Sequence, residues 1–275
     1  MNLQKIIHDD QRLINVFLNH YLKFGSEVPQ RLIQAMRYAV LGPGKRLRPI
    51  LTLEAFKACG GKNRSWIMPV CCGIEMIHTF SLIHDDLPSM DNDDFRRGQP
   101  TLHRKFDEST AILAADALLA FAFELFTLSR APIERKNRIF FLISKAIGLK
   151  GMAGGQALDI GLLNQNRNLE NDYLHIARLK TAELIGVSIV TGAVLAGAAQ
   201  VLEKRLYRLG IELGVLFQIT DDILDWENDQ KPQARNRLQQ KVKLLAQKTQ
   251  KGFSSLGCEF WFFSEIADFI INRKE

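Results

Sequence analysis

The chain has 275 residues, 47% hydrophobic and 24% charged, which excludes wholesale disorder and leaves ample material for a core. Lys and Arg total 36 against 30 Asp and Glu, and this excess of +6 suits anionic substrates, a membrane surface or nucleic acid. Cys59, Cys71, Cys72 and Cys258 show no C-x-x-C spacing, which argues against a disulfide scaffold or zinc site and for a reducing compartment. Met1 to Asp10 lacks a long apolar run and carries two aspartates, so a cytoplasmic protein is expected.

Helical spacing begins at once, as in Leu13, Phe17, Leu18, Tyr21 and Leu22, and predicts helices over 3–23, 29–41 and 47–59. The last opens on Gly44-Lys45-Arg46-Leu47-Arg48-Pro49, where cations cluster beside glycines. Guanidinium forks suit phosphate oxygens, and lysine adds a mobile point charge. The next helix, 65–87, ends near Leu87 because Pro88 disfavours helical geometry in the residue before it. Asp85 and Asp86 therefore stand at a helix C-terminus, where the macrodipole disfavours each carboxylate by roughly 0.3–1 kcal/mol. Helix stability does not explain them, whereas a bound cation does. Asp91, Asp93 and Asp94 follow at once, and then Arg96-Arg97-Gly98.

Further helices are expected over 107–129, 132–150, 152–162, 169–177, 179–199, 201–228, 234–250 and 258–272. Leu184 to Leu202 carries no charge, and Ala111 to Leu128 only Asp116 and Glu124, lengths that could cross a bilayer. Gly186, Gly192 and Gly197 suit a helix buried all round inside protein, and Asp116 opposes insertion, so no transmembrane segment is expected. In Asp221-Asp222-Ile223-Leu224-Asp225, Asp221 and Asp225 share one helix face, where like charges repel unless a cation lies between them. Carboxylates completed by water and phosphate are the ligands Mg²⁺ takes. Strand-like alternation and linkers are missing, so a single all-α domain over 1–275 is expected.

These two acidic clusters resemble the aspartate-rich motifs of the trans-polyprenyl diphosphate synthases. Asp85-Asp86-Leu87-Pro88-Ser89-Met90-Asp91, with two residues inserted before the last aspartate, looks like the bacterial farnesyl diphosphate synthase form. The lysine-arginine run at 44–49, Ile77-His78, Arg96-Arg97-Gly98, Gly154-Gly155-Gln156-Ala157-Leu158-Asp159, Lys180-Thr181 and Phe217-Gln218 match in order over roughly residues 35–229. The resemblance implies a helical bundle with a deep central cavity, usually a homodimer, that joins isopentenyl diphosphate to an allylic diphosphate. It also implies about three Mg²⁺ ions on Asp85, Asp86, Asp91, Asp221, Asp222 and Asp225, with Arg96 and Lys180 assisting the leaving diphosphate. By the same resemblance Gly44, Lys45, Arg48, His78 and Arg97 hold the second diphosphate, and Thr181 and Gln218 face the allylic cation. Phe80, the fifth residue before Asp85, would floor the cavity near fifteen carbons.

After Asp229 the family's Gly-Lys and Gly-Lys-Ser/Thr segments are absent, and the resemblance is poor over 230–275. Lys231 is a candidate replacement for one lysine. A weakened paralogue or partner subunit is thus one alternative, and a terpene cyclase another. Nucleic acid fits poorly, because the basic residues sit beside acids that repel a phosphate backbone.

Overall fold

The structure, a computed structural model, describes residues 2–163, 170–225 and 232–272. Within these, the side chains of 162–163, 170–171, 225 and 232–238 are outside the description. The described chain is almost wholly helical and forms two compact units.

The first unit comprises Asn2–Leu53 and Asn63–Lys136. It contains α1 (Leu3–Tyr21), α2 (Gln30–Leu41), the start of α3 (Leu47–Ala58), α4 (Arg64–Asp85), strands β1 (Phe95–Arg96) and β2 (Gln99–Pro100), α5 (Leu102–Lys105), α6 (Glu108–Leu128) and the start of α7 (Ile133–Ile147). Its spine is α4, which packs along α6. Gly73 permits the approach, since a Cβ there would lie 2.4 Å from the Phe126 ring. Asn63 caps α4 by accepting from the Ser65 N–H at 3.0 Å. Pro69 stands inside the helix and cannot donate to the Ser65 carbonyl, which instead accepts from the Arg130 N–H at 3.3 Å.

The second unit comprises Glu54–Lys62 and Asn137–Glu275, with Met1. It holds α8 (Met152–Leu163), α9 (Glu170–Ala177), a π-turn (Arg178–Ala182), α10 (Glu183–Ala196), α11 (Gln200–Asp225), α12 (Pro232–Ser254) and α13 (Trp261–Asn272). Residues Glu183 to Leu195 of α10 are all buried, as their lack of polar periodicity predicts. Gly186 and Gly210 bring α10 and α11 together, a Cβ on Gly210 falling 2.8 Å from the Gly186 Cα.

Besides shifts of a few residues at helix ends, three features differ from the sequence expectation. The helix expected over 179–199 begins as a π-turn at Arg178–Ala182. A short helix, α5, stands where none was expected. The stretch 95–100 is a hairpin pairing Phe95 with Pro100 and Arg96 with Gln99, and its loop residues Arg97 and Gly98 have φ of 53° and 75°. Two successive positive φ values make the type I′ turn that suits strand twist, with arginine where asparagine or aspartate is usual. Three described segments are long and apolar enough to cross a membrane: α4, α6 and 172–196, the first not singled out from the sequence. Their most apolar stretches are 72%, 39% and 83% buried within the protein.

Candidate active site

In the first unit, α4 carries His78, Phe80 and Asp85 of the predicted residues, with Asp86 at its end. It ends at Asp85, with Asp86 as its C-cap, so the carboxylates stand where the dipole opposes them. The Asp91 N–H donates to the Asp85 carbonyl at 2.9 Å, folding the acidic loop back on the helix end. Thr101 holds that loop from below, donating its hydroxyl to the Asp93 carbonyl at 2.7 Å. The Asp86 side chain is only 6% exposed and accepts from Arg96 Nε at 2.5 Å, while Arg96 Nη2 reaches Asp93 at 3.0 Å. Burial pushes the Asp86 carboxyl up to about 6 against the pull of Arg96, with Asp93 and Asp91 adding to the rise.

Two turns earlier on α4, His78 Nε2 accepts from Arg48 Nη1 at 3.1 Å and lies 3.5 Å from Arg97 Nη2. Arginine only donates, so Nε2 is the acceptor and Nδ1 carries the proton. Burial holds this imidazole well below its ordinary pKa, and Arg48, Arg97, Arg46 and Arg96 push in the same direction. Arg97 also donates to the Pro43 carbonyl at 3.0 Å, beside Gly44, while Lys45 is exposed. The result is a cationic cluster around a neutral ring, suited to a phosphate anion. Half-buried Phe80 meets His84 edge-on, ring centroids 4.7 Å apart, about 140° round α4 from Asp85.

In the second unit, the π-turn presents Lys180 and Thr181, and single π-turns recur at functional sites. Two glycines let neighbouring helices close on it. A Cβ on Gly155 would lie 2.4 Å from the Lys180 N, and one on Gly214 2.5 Å from the Ala182 Cα. Lys180 Nζ donates to Asp159 at 2.8 Å. Thr181 donates to Gln218 Oε1 at 2.6 Å, Gln218 Nε2 to Asp222 Oδ1 at 2.9 Å, and the Tyr173 hydroxyl to Asp222 Oδ2. Burial, then the Asp222 hydrogen bond and charge, raise the Tyr173 phenol far above its usual range, so it stays protonated. Gln156 keeps both ends of its amide buried without a hydrogen-bond partner. Asp221 is half-buried on α11. Asp225 ends that helix with its side chain outside the description, and Gln230 and Lys231 lie outside the described residues.

Sequence reasoning missed Tyr173, whose distance of 49 residues from Asp222 follows no spacing rule. It also missed Glu75, whose signal was an acid in an otherwise apolar helix. The donor set fits Mg²⁺, which is commonly held by one or two carboxylates plus substrate phosphate. A buried Asp86 that keeps its proton up to about 6 is a carboxylate a divalent cation would relieve. Among the described residues no three His, Cys, Asp or Glu side chains are gathered as a complete cage, so phosphate oxygens would complete the coordination.

The family model described as polyprenyl synthetase matches residues 29–239. The farnesyl diphosphate synthase of Geobacillus stearothermophilus is 42% identical over 231 residues, 82% of this chain and 76% of that enzyme. The chloroplastic heterodimeric geranylgeranyl pyrophosphate synthase large subunit 1 of Arabidopsis thaliana is 45% identical over 205 residues, 72% of this chain and 54% of its own. The crystal structure of an FPP/GFPP synthase from Zymomonas mobilis superposes with a TM-score of 0.91 at 32% identity, covering 98% of this chain and 99% of that one. Fold, motif order and these likenesses agree: the chain belongs to the polyprenyl synthetase family of trans-prenyltransferases.

Proposed function

We propose that the chain condenses isopentenyl diphosphate with dimethylallyl or geranyl diphosphate by ionisation, condensation and elimination, stopping at farnesyl diphosphate. One observation carries this reading: α4 bears His78 with its guanidinium partners and, seven residues on, Asp85. Seven residues turn roughly 700° and rise about 10 Å, so the two groups share a face at different heights. A cationic grip and an acidic grip on one face suit two diphosphates handled differently, one directly and one through metal. A terpene cyclase needs only the second.

Asp85, Asp86 and Asp91 of the first unit would hold Mg²⁺, as would Asp221 and Asp225 of the second, and the ion would supply positive charge against which an allylic diphosphate leaves. Asp86 also accepts from Arg96 and so orients that guanidinium, and Asp222 orients Gln218. Lys180, aligned by Asp159, assists the departure. The Thr181 hydroxyl donates its hydrogen bond to Gln218, which leaves its oxygen lone pairs available to stabilise the allylic cation as a dipole. Lys45, Arg48 and Arg97, the last two steered by neutral His78, hold isopentenyl diphosphate while its double bond attacks the cation. The proton lost in forming the new double bond passes to the released pyrophosphate.

The product limit rests on Phe80. The geranylgeranyl synthase likeness leaves longer products open to this fold, so Phe80→Ala is expected to shift products beyond fifteen carbons. Incubation with isopentenyl and geranyl diphosphates, with Mg²⁺ and with a chelator, followed by chromatography of dephosphorylated products, tests the reaction and the limit together. Product formed equally under chelation would sink the metal reading, and an unchanged product from Phe80→Ala would place the floor elsewhere. We also propose a homodimer: Ile112, Leu113 and Leu128 of α6 stand 42%, 58% and 51% exposed, aliphatic side chains that a second copy would cover. Sedimentation as a monomer at assay concentration would refute it.

A further inference from the structure

Between Lys45 and Arg48 the sequence places a third cation, Arg46, and the structure turns it inward. Its Nη1 lies 3.1 Å from Glu75 Oε1, and both side chains are only 2% exposed. Arg46 Nε also donates to Asn15 of α1 at 2.9 Å, and Nη2 to the Gly42 carbonyl at 2.7 Å. The fork thus ties α1, α4 and its own loop at one point. The backbone of Arg46 has φ of 52°, a left-handed conformation that a residue with a side chain keeps only when its surroundings impose it. Gly44 fits between two guanidinium groups, for a Cβ there would lie 2.5 Å from Arg97 Nη1 and 2.6 Å from Arg46 Nη1.

Stability alone does not account for this pair. Well-packed apolar residues of similar volume commonly serve a core as well as a buried ion pair or better. Glu75 does, however, stand three residues before His78 on the same face of α4, beneath the ring on which Arg48 and Arg97 converge. Its charge opposes the mutual repulsion of Arg46, Arg48 and Arg97. Arg46, pinned through three contacts, fixes the direction in which Lys45 and Arg48 leave the loop.

We propose that Arg46 and Glu75 are positioning residues for isopentenyl diphosphate, a buried pair that sets the 44–48 loop and the Arg48–His78–Arg97 cluster in binding geometry before the substrate arrives. This rests on the reading that the cluster takes the metal-free diphosphate. A preset site spends less of its interaction energy on ordering, so losing the pair costs affinity for this one substrate.

Calorimetric binding of isopentenyl diphosphate without metal, together with steady-state kinetics for both substrates, tests it on Arg46→Lys, Glu75→Gln and the double variant Arg46→Leu/Glu75→Met. Each is expected to bind isopentenyl diphosphate about tenfold more weakly or worse, with KM for the allylic diphosphate and the circular dichroism spectrum unchanged. The double variant leaves no unpaired charge and keeps the test decisive if a single variant does not fold. A folded double variant with parental affinity, or equal losses for both substrates, would overturn the positioning role. A parent protein that itself fails to bind isopentenyl diphosphate would instead bring down the functional reading beneath it.

Discussion

Two helix ends in the first unit carry carboxylates, and they stand in opposite relations to the chain. At the start of α6, Asp107 caps the helix, accepting from the Thr110 N–H at 2.6 Å, the Ser109 hydroxyl at 2.7 Å and Arg31 at 2.6 Å. The Ser109 bond first, then Thr110 and Arg31, hold its carboxyl well below the usual range. At the end of α4, Asp86 is pushed up to about 6 by burial although Arg96 lies 2.5 Å away. One carboxylate strengthens its helix, whereas the other opposes its own. The difference separates an acid kept for structure from an acid kept for a ligand.

Removing carboxylates of the two acidic clusters should have the largest effect. Asp85→Ala, Asp91→Ala or Asp221→Ala is expected to lower turnover by about 10³-fold, the loss of roughly 4 kcal/mol of charge stabilisation. Thermal stability should hold or rise, and product assay beside a thermal melt would show it. A variant that lost stability and activity together would erase the contrast with Asp107.

Within the second unit the comparison sharpens. Asp222 accepts from two neutral donors, Tyr173 and Gln218. Tyr173→Phe removes a hydrogen bond to a charged group, worth roughly 1.5–3 kcal/mol, so turnover should fall by about ten- to a hundredfold. Affinity for isopentenyl diphosphate, read by calorimetry, should not move. A Phe variant with parental turnover would show that Asp222 needs no such anchor.

The smallest effect is the pH response, and its sign differs at the two ends. Asp107 has a depressed pKa, so its contribution is present above the unfolded value near 4 and disappears as pH falls below it. Asp86 has a raised pKa, so the native state holds an extra proton between about pH 4 and 6, and stability declines as pH rises through that window. Asp107→Asn should therefore lose stability at neutral pH but not in strong acid, while Asp86→Asn should flatten the decline between about pH 4 and 6. Urea midpoints across that range decide both. An Asp86→Asn profile parallel to the parent's would assign the slope to other groups.

Much of this was legible in the sequence because the informative signals were local. Helical periodicity placed the long helices, Pro88 ended α4 near its acids, and Gly44 to Pro49 marked the start of α3. What stayed hidden depended on distant partners or unusual backbone. Pro69 reads as a helix breaker until Arg130 is seen to donate to the carbonyl it leaves bare. Arg97-Gly98 lacks the asparagine or aspartate that announces a tight hairpin. The π-turn at Lys180 leaves no mark in hydrophobic spacing, and the inward turn of Arg46 appears only once Glu75 is opposite.

The placement of Phe80 on α4 has a consequence for how such a protein diversifies. His78 and Asp85 share one face of a continuous helix, a rigid gauge that fixes their separation, whereas Phe80 stands on another. If Phe80 limits the product as proposed, substitutions at that second face would change how much tail is tolerated without altering the gauge. On that proposal output length and bond-making geometry would be written on the same rod but edited separately, so new products could arise one side chain at a time while the underlying reaction is inherited intact.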